Sequence, residues 1–369
     1  MTQAIRAYDL ANSVGVNTHF AYTNTAYSNF NAVEGLLHAS HIRHTRDGYY
    51  PWPAGHPQYA IHRQLKAIGV DTIAVVPWSN PIPTVAQLVQ FAQLAGNIAA
   101  FEITNEPDDQ NNPDWVAQVK ALAPVVVAAC KQLGIPALAP ALVHPESYSQ
   151  LGELADVWDA NVHFYPEPRP PETPPYGPNG EYSLTWWQAE SNVIVDAALG
   201  SWITETGYVD TTVPGVIACY LLRAICYAAS VGTERTYIYQ LVDTDGYGLV
   251  SGTYAVTPAY TAIRHLLECL ADNGKTAATF TPGALNVKVP CDSLLTQKSN
   301  GDYVLILWDG VAYKAGLDIS ASVQVPVGYQ VASYQVIAET GADPETLCPG
   351  ATLVPIGNGV ALVTIRETA

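Results

Sequence analysis

The sequence predicts an α/β fold, a closed (β/α)8 TIM barrel followed by an all-β sandwich, and three observations predict it. Eight β-prone runs alternate with helical patterns as far as residue 272. From residue 273 on, the helical patterns stop and strand follows strand. Two glutamates, Glu106 and Glu205, each stand where a β-prone run meets a breaker (Pro107 and Gly207), and they lie 205 − 106 = 99 residues apart. That interval is three units of 33, close to the roughly 31 residues per unit of a ~250-residue eightfold barrel, and it puts the pair at the ends of strands 4 and 7.

The eight strands, read from β-branched and apolar runs followed by polar residues, are 14–19, 41–45, 71–77, 99–104, 137–141, 160–164, 202–204 and 236–241. Between them the helical patterns fall at 31–38, 62–68, 85–94, 115–133, 147–154, 186–198 and 215–230. Strands that alternate with helices pair in parallel, and eight units close into a barrel whose site lies at the C-terminal ends of the strands. The catalytic unit is therefore expected at 13–272. In the remainder, 273–369, six strands are expected at 285–289, 303–308, 323–326, 330–337, 353–355 and 360–365, with Asn-Gly turns at 300–301 and 358–359. Residues 1–12 are a candidate extra strand for this sandwich, and Trp308 reads as its core.

Composition narrows the function. With 49% hydrophobic and 13% charged residues the chain can build a large core, which excludes a disordered protein. A formal charge of −17 repels phosphate backbones and anionic lipid, so neither nucleic acid nor a membrane is expected as a partner; a neutral or cationic substrate fits better. The most apolar stretch, 216–231, is broken by Arg223 and reads as a buried helix. None of the six cysteines has zinc spacing, and no metal or cofactor is expected. Cys130, Cys219, Cys226 and Cys269 read as buried thiols, whereas Cys291 and Cys348 stand beside turn residues where a bridge is one of two alternatives. No basic region followed by an apolar core opens the chain. Its compartment is accordingly the exterior or periplasm with a leader removed, or the cytoplasm.

Two carboxyl groups at one barrel mouth are what glycoside hydrolysis requires, one to protonate the leaving oxygen and one to attack or to activate water. Asn105-Glu106-Pro107 and Glu205-Thr206-Gly207 resemble the signature of the clan GH-A retaining glycoside hydrolases. Gly15-Val16-Asn17-Thr18-His19, the segment His41 to Gly48, Tyr247-Gly248-Leu249-Val250 and Thr257-Pro258-Ala259-Tyr260 are most similar to glycoside hydrolase family 39 and related family 5-like bacterial enzymes. The resemblance implies a saccharide substrate, an appended β-domain, Glu106 as acid/base and Glu205 as nucleophile. It further implies that Asn105 bonds the sugar 2-hydroxyl, that Arg46 supports the nucleophile, and that His163 and Tyr165 stand at the end of strand 6. Arg43 is the other candidate arginine; by strand parity only one of the two can point inward, and Arg46 is preferred. His19 and Trp78, at the ends of strands 1 and 3, are expected sugar contacts. Strand 8 departs from the commonest clan pattern: Tyr239 and Gln240 stand where a Trp is frequent, and the sequence does not say which of them faces the site. Asp243-Thr244-Asp245-Gly246 resembles part of a calcium loop but lacks its remaining ligands, and is read as the strand 8 loop.

One connection is out of scale. The Pro-rich segment 165–182 follows strand 6 on the catalytic side and exceeds the usual few residues of a βα loop. It is expected to wall a subsite, with Tyr176, Tyr182, Trp186 and Trp187 as stacking candidates.

Overall fold

The structure, a computed structural model, describes residues 1–109, 112–173, 183–195, 200–209, 214–314, 316–338, 341–342 and 346–368. Eight parallel strands form the central sheet: β1 (Val14–Asn17), β2 (His44–Gly48), β3 (Asp71–Val76), β4 (Ile98–Ile103), β5 (Ala137–Leu138), β6 (Ala160–His163), β7 (Ser201–Thr206) and β8 (Thr233–Ile238). Seven neighbouring pairs are laddered, β1 pairing with both β2 and β8. The remaining gap, between β5 and β6, is bridged by Leu138 opposite Asp159, with Ala139 N–H donating to Asp159 O at 3.0 Å and Trp158 N–H to Ala137 O at 2.8 Å. The barrel is thereby closed.

Inside, Ile73, Ala100, Leu138, Trp202 and Tyr237 from five strands form an apolar plug. Gly15 makes room for it: a Cβ there would sit 2.3 Å from the Tyr237 ring. Gly15→Ala should therefore lower stability by about 1–3 kcal/mol through overpacking, measured as a shift in the denaturation midpoint. Toward the C-terminal ends the interior turns polar. Asn17 Nδ2 donates to Thr204 O, the Thr204 hydroxyl to Asn161 Oδ1, and Asn161 Nδ2 to Ala139 O. Every member of this belt has a partner, so it is tolerated under the site without the penalty of an orphaned polar group.

The outer helices bury their apolar faces on the strands. Helix Val85–Ala95 is typical: Thr84 and Gln87 form a reciprocal capping box, and Gly96 closes it in the left-handed region at φ 77°. Helix Trp115–Leu133, at the bounds the helical pattern predicts, is 19 residues long and apolar enough to cross a membrane by length and composition. Here it buries Trp115, Val119, Leu122, Val126 and Cys130 in the same core cluster as Phe101 and Ile103 of β4.

After helix Pro258–Leu270 the chain builds the β-domain. Its main sheet contains β9 (Asp292–Gln297), β10 (Tyr303–Trp308), β11 (Tyr329–Ala338) and β12 (Val360–Glu367), in the order β11-β12-β10-β9. Ile5–Arg6 adds a parallel edge strand to β9, and Thr2–Gln3 pairs with Ala284–Leu285. The turn at Asn300-Gly301 joins β9 to β10 as a hairpin. One face of the sheet, with Leu294, Ile306, Trp308 and Leu362, packs on helices Pro214–Ser230 and Pro258–Leu270. Trp308 is thus interface core. Cys291 and Cys348 are free thiols, as are the other four cysteines.

Candidate active site

The end of β4 is bent sharply. Thr104 and Glu106 both have left-handed backbones, φ 52° and 43°, a costly conformation for a β-branched residue in particular. The bend is held from both sides, since Thr104 N–H donates to Val76 O and Glu106 N–H to Ala141 O, each at 3.0 Å. It carries Asn105 and Glu106 over the barrel mouth. On the opposite side Glu205 is the last residue but one of β7, and after Thr206 comes Gly207, where a Cβ would lie 2.7 Å from Tyr239 O and 2.8 Å from the Tyr247 ring. The glycine after Glu205 is therefore part of the site's shape.

Glu205 is surrounded by donors. Arg46 Nη1 reaches its Oε1 at 2.5 Å and the Tyr165 hydroxyl its Oε2 at 2.7 Å, while His163 Nδ1 lies 3.6 Å from Oε2. Burial raises the pKa of this carboxyl, but His163, Arg46 and the hydrogen bonds from Tyr165 and Arg46 outweigh it and hold the group below the ordinary glutamate range. Glu106 has a different setting. Its Oε1 lies 2.7 Å from His163 Nδ1, its Oε2 is 3.4 Å from Asn105 Nδ2, and more of its side chain is exposed than that of Glu205, 27% against 11%. A carboxylate oxygen of each glutamate and a ring nitrogen of His163 lie within 4.8 Å of one another. Among the described residues this is the trio whose geometry would suit a metal ion, yet its atoms already bond to one another, to Arg46 and to Tyr165.

Arg46 is the hub. It is 5% exposed and forms a bidentate pair with Glu102 at 2.6 and 2.7 Å, besides bonding Glu205, Asn105 and Asn17. Burial alone disfavours its charge; Glu102 and Glu205 reverse that and keep it protonated. Arg43 lies outside β2 and is exposed.

A cavity of about 600 Å³ opens over these groups, lined among others by His19, Tyr22, Arg46, Asp47, Tyr50, Asn105, Glu106, Tyr165, Glu205, Tyr239 and Tyr247. The His19 ring stacks on Tyr22 at 4.7 Å, and burial lowers its pKa against the opposing pull of Glu205. His163 is almost fully buried and supports the glutamates from below. Two expected contacts stand elsewhere. Trp78 is half-buried and packs against the apolar cluster between the barrel and its helices, while Pro77 lines the cavity in its place. Gln240 is completely buried, its amide donating to Thr244 Oγ1 and Asp245 Oδ1, so that Tyr239 alone of the strand 8 pair faces the cavity. Asp243 acts as a loop residue, its Oδ1 accepting the N–H groups of Asp245, Gly246 and Gly248.

Of the long loop, Tyr176 and Tyr182 lie outside the described residues. Trp187 is buried in a small cluster with Val162, Phe164 and Leu184, half-buried Trp186 packs against it, and neither lines the cavity. The described part of the loop is tied down: Glu172 forms a buried bidentate pair with Arg223, at 2.9 and 2.6 Å, and Arg223 also donates to Val311 O of the β-domain.

Sequence reasoning gave no site role to Glu102, Asn17, Asp47, Tyr22, Tyr50 or Tyr247, although Asn17, Asp47 and Tyr247 stand in the motifs that carry the resemblance. For Glu102 a signal was present: a lone carboxylate inside the apolar run Ala99-Ala100-Phe101-Glu102-Ile103 must find a buried cation, and Arg46 is that cation. A second cavity, about 750 Å³, lies at the opposite end of the barrel beside Cys130, Ala137 and Trp158. Its Lys131 and Asp156 pair with each other at 2.7 Å.

No protein-family model matches the sequence, nor does any curated protein. Solved structures do match. A GH39 enzyme from Xanthomonas axonopodis pv. citri superposes with TM-score 0.58 at 13% identity, covering 100% of this chain and 96% of that one. A monomeric β-xylosidase from Caulobacter crescentus CB15 gives TM-score 0.60 at 11% identity, covering 100% and 98%. Along its whole length, this chain has the (β/α)8 barrel with attached β-domain of these two glycoside hydrolases.

Proposed function

We propose that the protein is a retaining O-glycoside hydrolase that cleaves a β-linked, or equivalently configured, oligo- or polysaccharide by double displacement. The observation that carries the reading is the unequal environment of two carboxylates whose oxygens approach within 4.8 Å. Retaining enzymes hold their carboxyl groups about 5–5.5 Å apart, whereas inverting ones leave 6.5–9.5 Å for a water. Glu205, with its donors and lowered pKa, is the ionised nucleophile. Glu106 is the acid/base. In the first step Glu205 attacks the anomeric carbon as Glu106 protonates the departing oxygen. Glu205 then loses its charge to the glycosyl ester, and Glu106, now a carboxylate, takes a proton from the water that releases the sugar. Asn105, held by Arg46, stands beside Glu106 to meet the 2-hydroxyl, and His19 and Tyr239 line the cavity as sugar contacts.

The test is hydrolysis of a panel of aryl glycosides and polysaccharides, xylosides included, with the product anomer followed by NMR. A first-formed product of retained configuration supports the reading, and an inverted one overturns it.

Arg46→Lys gives a narrower test. Weakening the guanidinium contact removes one of the influences that lower the Glu205 pKa, so the carboxylate needs a higher pH to ionise. The acid limb of the kcat/KM profile should move to higher pH, and kcat should fall about 10²–10³-fold. An unmoved acid limb would detach Arg46 from the nucleophile.

A further inference from the structure

The cavity lining contains a single permanently charged cation, Arg46, and every donor of that cation is engaged. A guanidinium has five N–H groups. In this site Nε reaches Glu102 Oε2, Nη1 reaches Asn17 Oδ1 and Glu205 Oε1, and Nη2 reaches Glu102 Oε1 and Asn105 Oδ1, all between 2.5 and 2.9 Å. None is left for an incoming anion, and the charge is already shared by two carboxylates.

Apart from His19, the remaining ionisable lining groups are acids and tyrosines. Asp47, Glu106 and Glu205 face the cavity with Tyr22, Tyr49, Tyr50, Tyr165, Tyr239 and Tyr247. At the rim, Asp245 accepts from the Tyr239 hydroxyl at 3.2 Å and Glu167 lies 3.4 Å from the Tyr247 hydroxyl. His19, the lining histidine, is driven toward its neutral form by burial. Its Nε2 and the Tyr49 hydroxyl are buried polar atoms without a protein partner. Such neutral groups suit hydroxyls. The residues outside the described part of the chain contain no Lys, Arg or His, so they bring no further cation to the site. Arg169, on the loop after β6, is exposed and is not part of the lining.

A sugar carboxylate placed here would give up water and stand close to Glu205, while the cationic donors nearby, those of Arg46 and the Nδ1 of His163, are already taken by Glu102, Glu205 and Glu106 and by Asn17 and Asn105, so its binding is disfavoured. We propose that the sugar bound beside Glu205 is uncharged, a pentose or a neutral hexose, and that the site rejects uronic acids. The inference rests on the hydrolase reading for the sugar's position, and deepens it.

The test uses substrate pairs that differ only at C6: nitrophenyl glucoside against glucuronide, and galactoside against galacturonide, with the xyloside alongside. For whichever pair is cleaved, kcat/KM should favour the neutral member by at least about 100-fold at low salt. That ratio should narrow in 0.5 M NaCl as the repulsion is screened. A uronide cleaved within threefold of its neutral partner overturns the inference, and so does uronide cleavage that disappears in Arg169→Ala, which would assign the missing cation to that arginine. Calorimetric binding of neutral xylo- and cello-oligosaccharides against oligogalacturonides to the wild-type protein separates the two readings. If no glycoside is cleaved but the neutral oligosaccharides bind at least tenfold tighter, the hydrolase reading falls and the inference stands. Tighter binding of oligogalacturonides, or binding of neither class, overturns it.

Discussion

Glu205→Gln should lower kcat by about 10⁴-fold or more while leaving the fold and saccharide binding nearly intact. The reasoning is geometric. Glutamine keeps the volume of the side chain and an oxygen that can still accept from Arg46 or Tyr165, so the surroundings of the buried Arg46 retain Glu102 as its charge partner. What it lacks is a nucleophilic carboxylate, and neither Glu102, locked against Arg46, nor Asp47 can replace it. Asp47 is held away by its own bonds from the Thr18 hydroxyl and the N–H groups of Phe20 and Gly48, with burial pushing its pKa up to about 7. Turnover by stopped assay, the thermal midpoint and calorimetric binding of an oligosaccharide check the three parts. A variant that keeps even a tenth of the wild-type kcat would remove Glu205 from the nucleophile's role.

Glu106→Ala separates the acid from the nucleophile without knowledge of the natural substrate. On a dinitrophenyl glycoside the first step should be spared, because that leaving group departs without a proton. The second step should slow, since no base remains to activate water, and the glycosyl-enzyme should accumulate as a pre-steady-state burst. Azide should restore turnover: it is small enough for the space vacated by the carboxylate and needs no base, and it yields a glycosyl azide with the substrate's anomeric configuration. Glu205→Ala should instead give an azide of inverted configuration. Inversion in the Glu106 variant would mean that the roles are exchanged or that the mechanism is not double displacement.

Some elements were legible in the chain because local chemistry decides them. Strands β3, β4 and β10 are runs whose composition suits a pleated buried sheet, and they lie within one residue of the expected bounds. The local pattern puts strand β2 three residues early, at 41–45 rather than His44–Gly48, because Arg46 and Asp47 argue against a buried strand until their partners Glu102, Glu205, Thr18 and Phe20 are known. Strand β9 escaped notice for a related reason: Asp292-Ser293 opens it with exposed polar residues, and only its later part is buried. Helix Ala7–Ser13 has no side-chain N-cap to announce it.

The sequence by itself determined that two glutamates end strands on one face of a parallel barrel, since the spacing of strands and breakers is a local property that repeats along the chain. The tertiary structure alone decided what distinguishes the two. Arg46, Tyr165 and His163 come from strands 2 and 6, far from Glu205 in the chain, and only closure of the barrel brings their donors within hydrogen-bond distance of it. The same closure chose Tyr239 over Gln240 and turned Trp78 from the cavity, because which side chain faces a shared space depends on what already fills it.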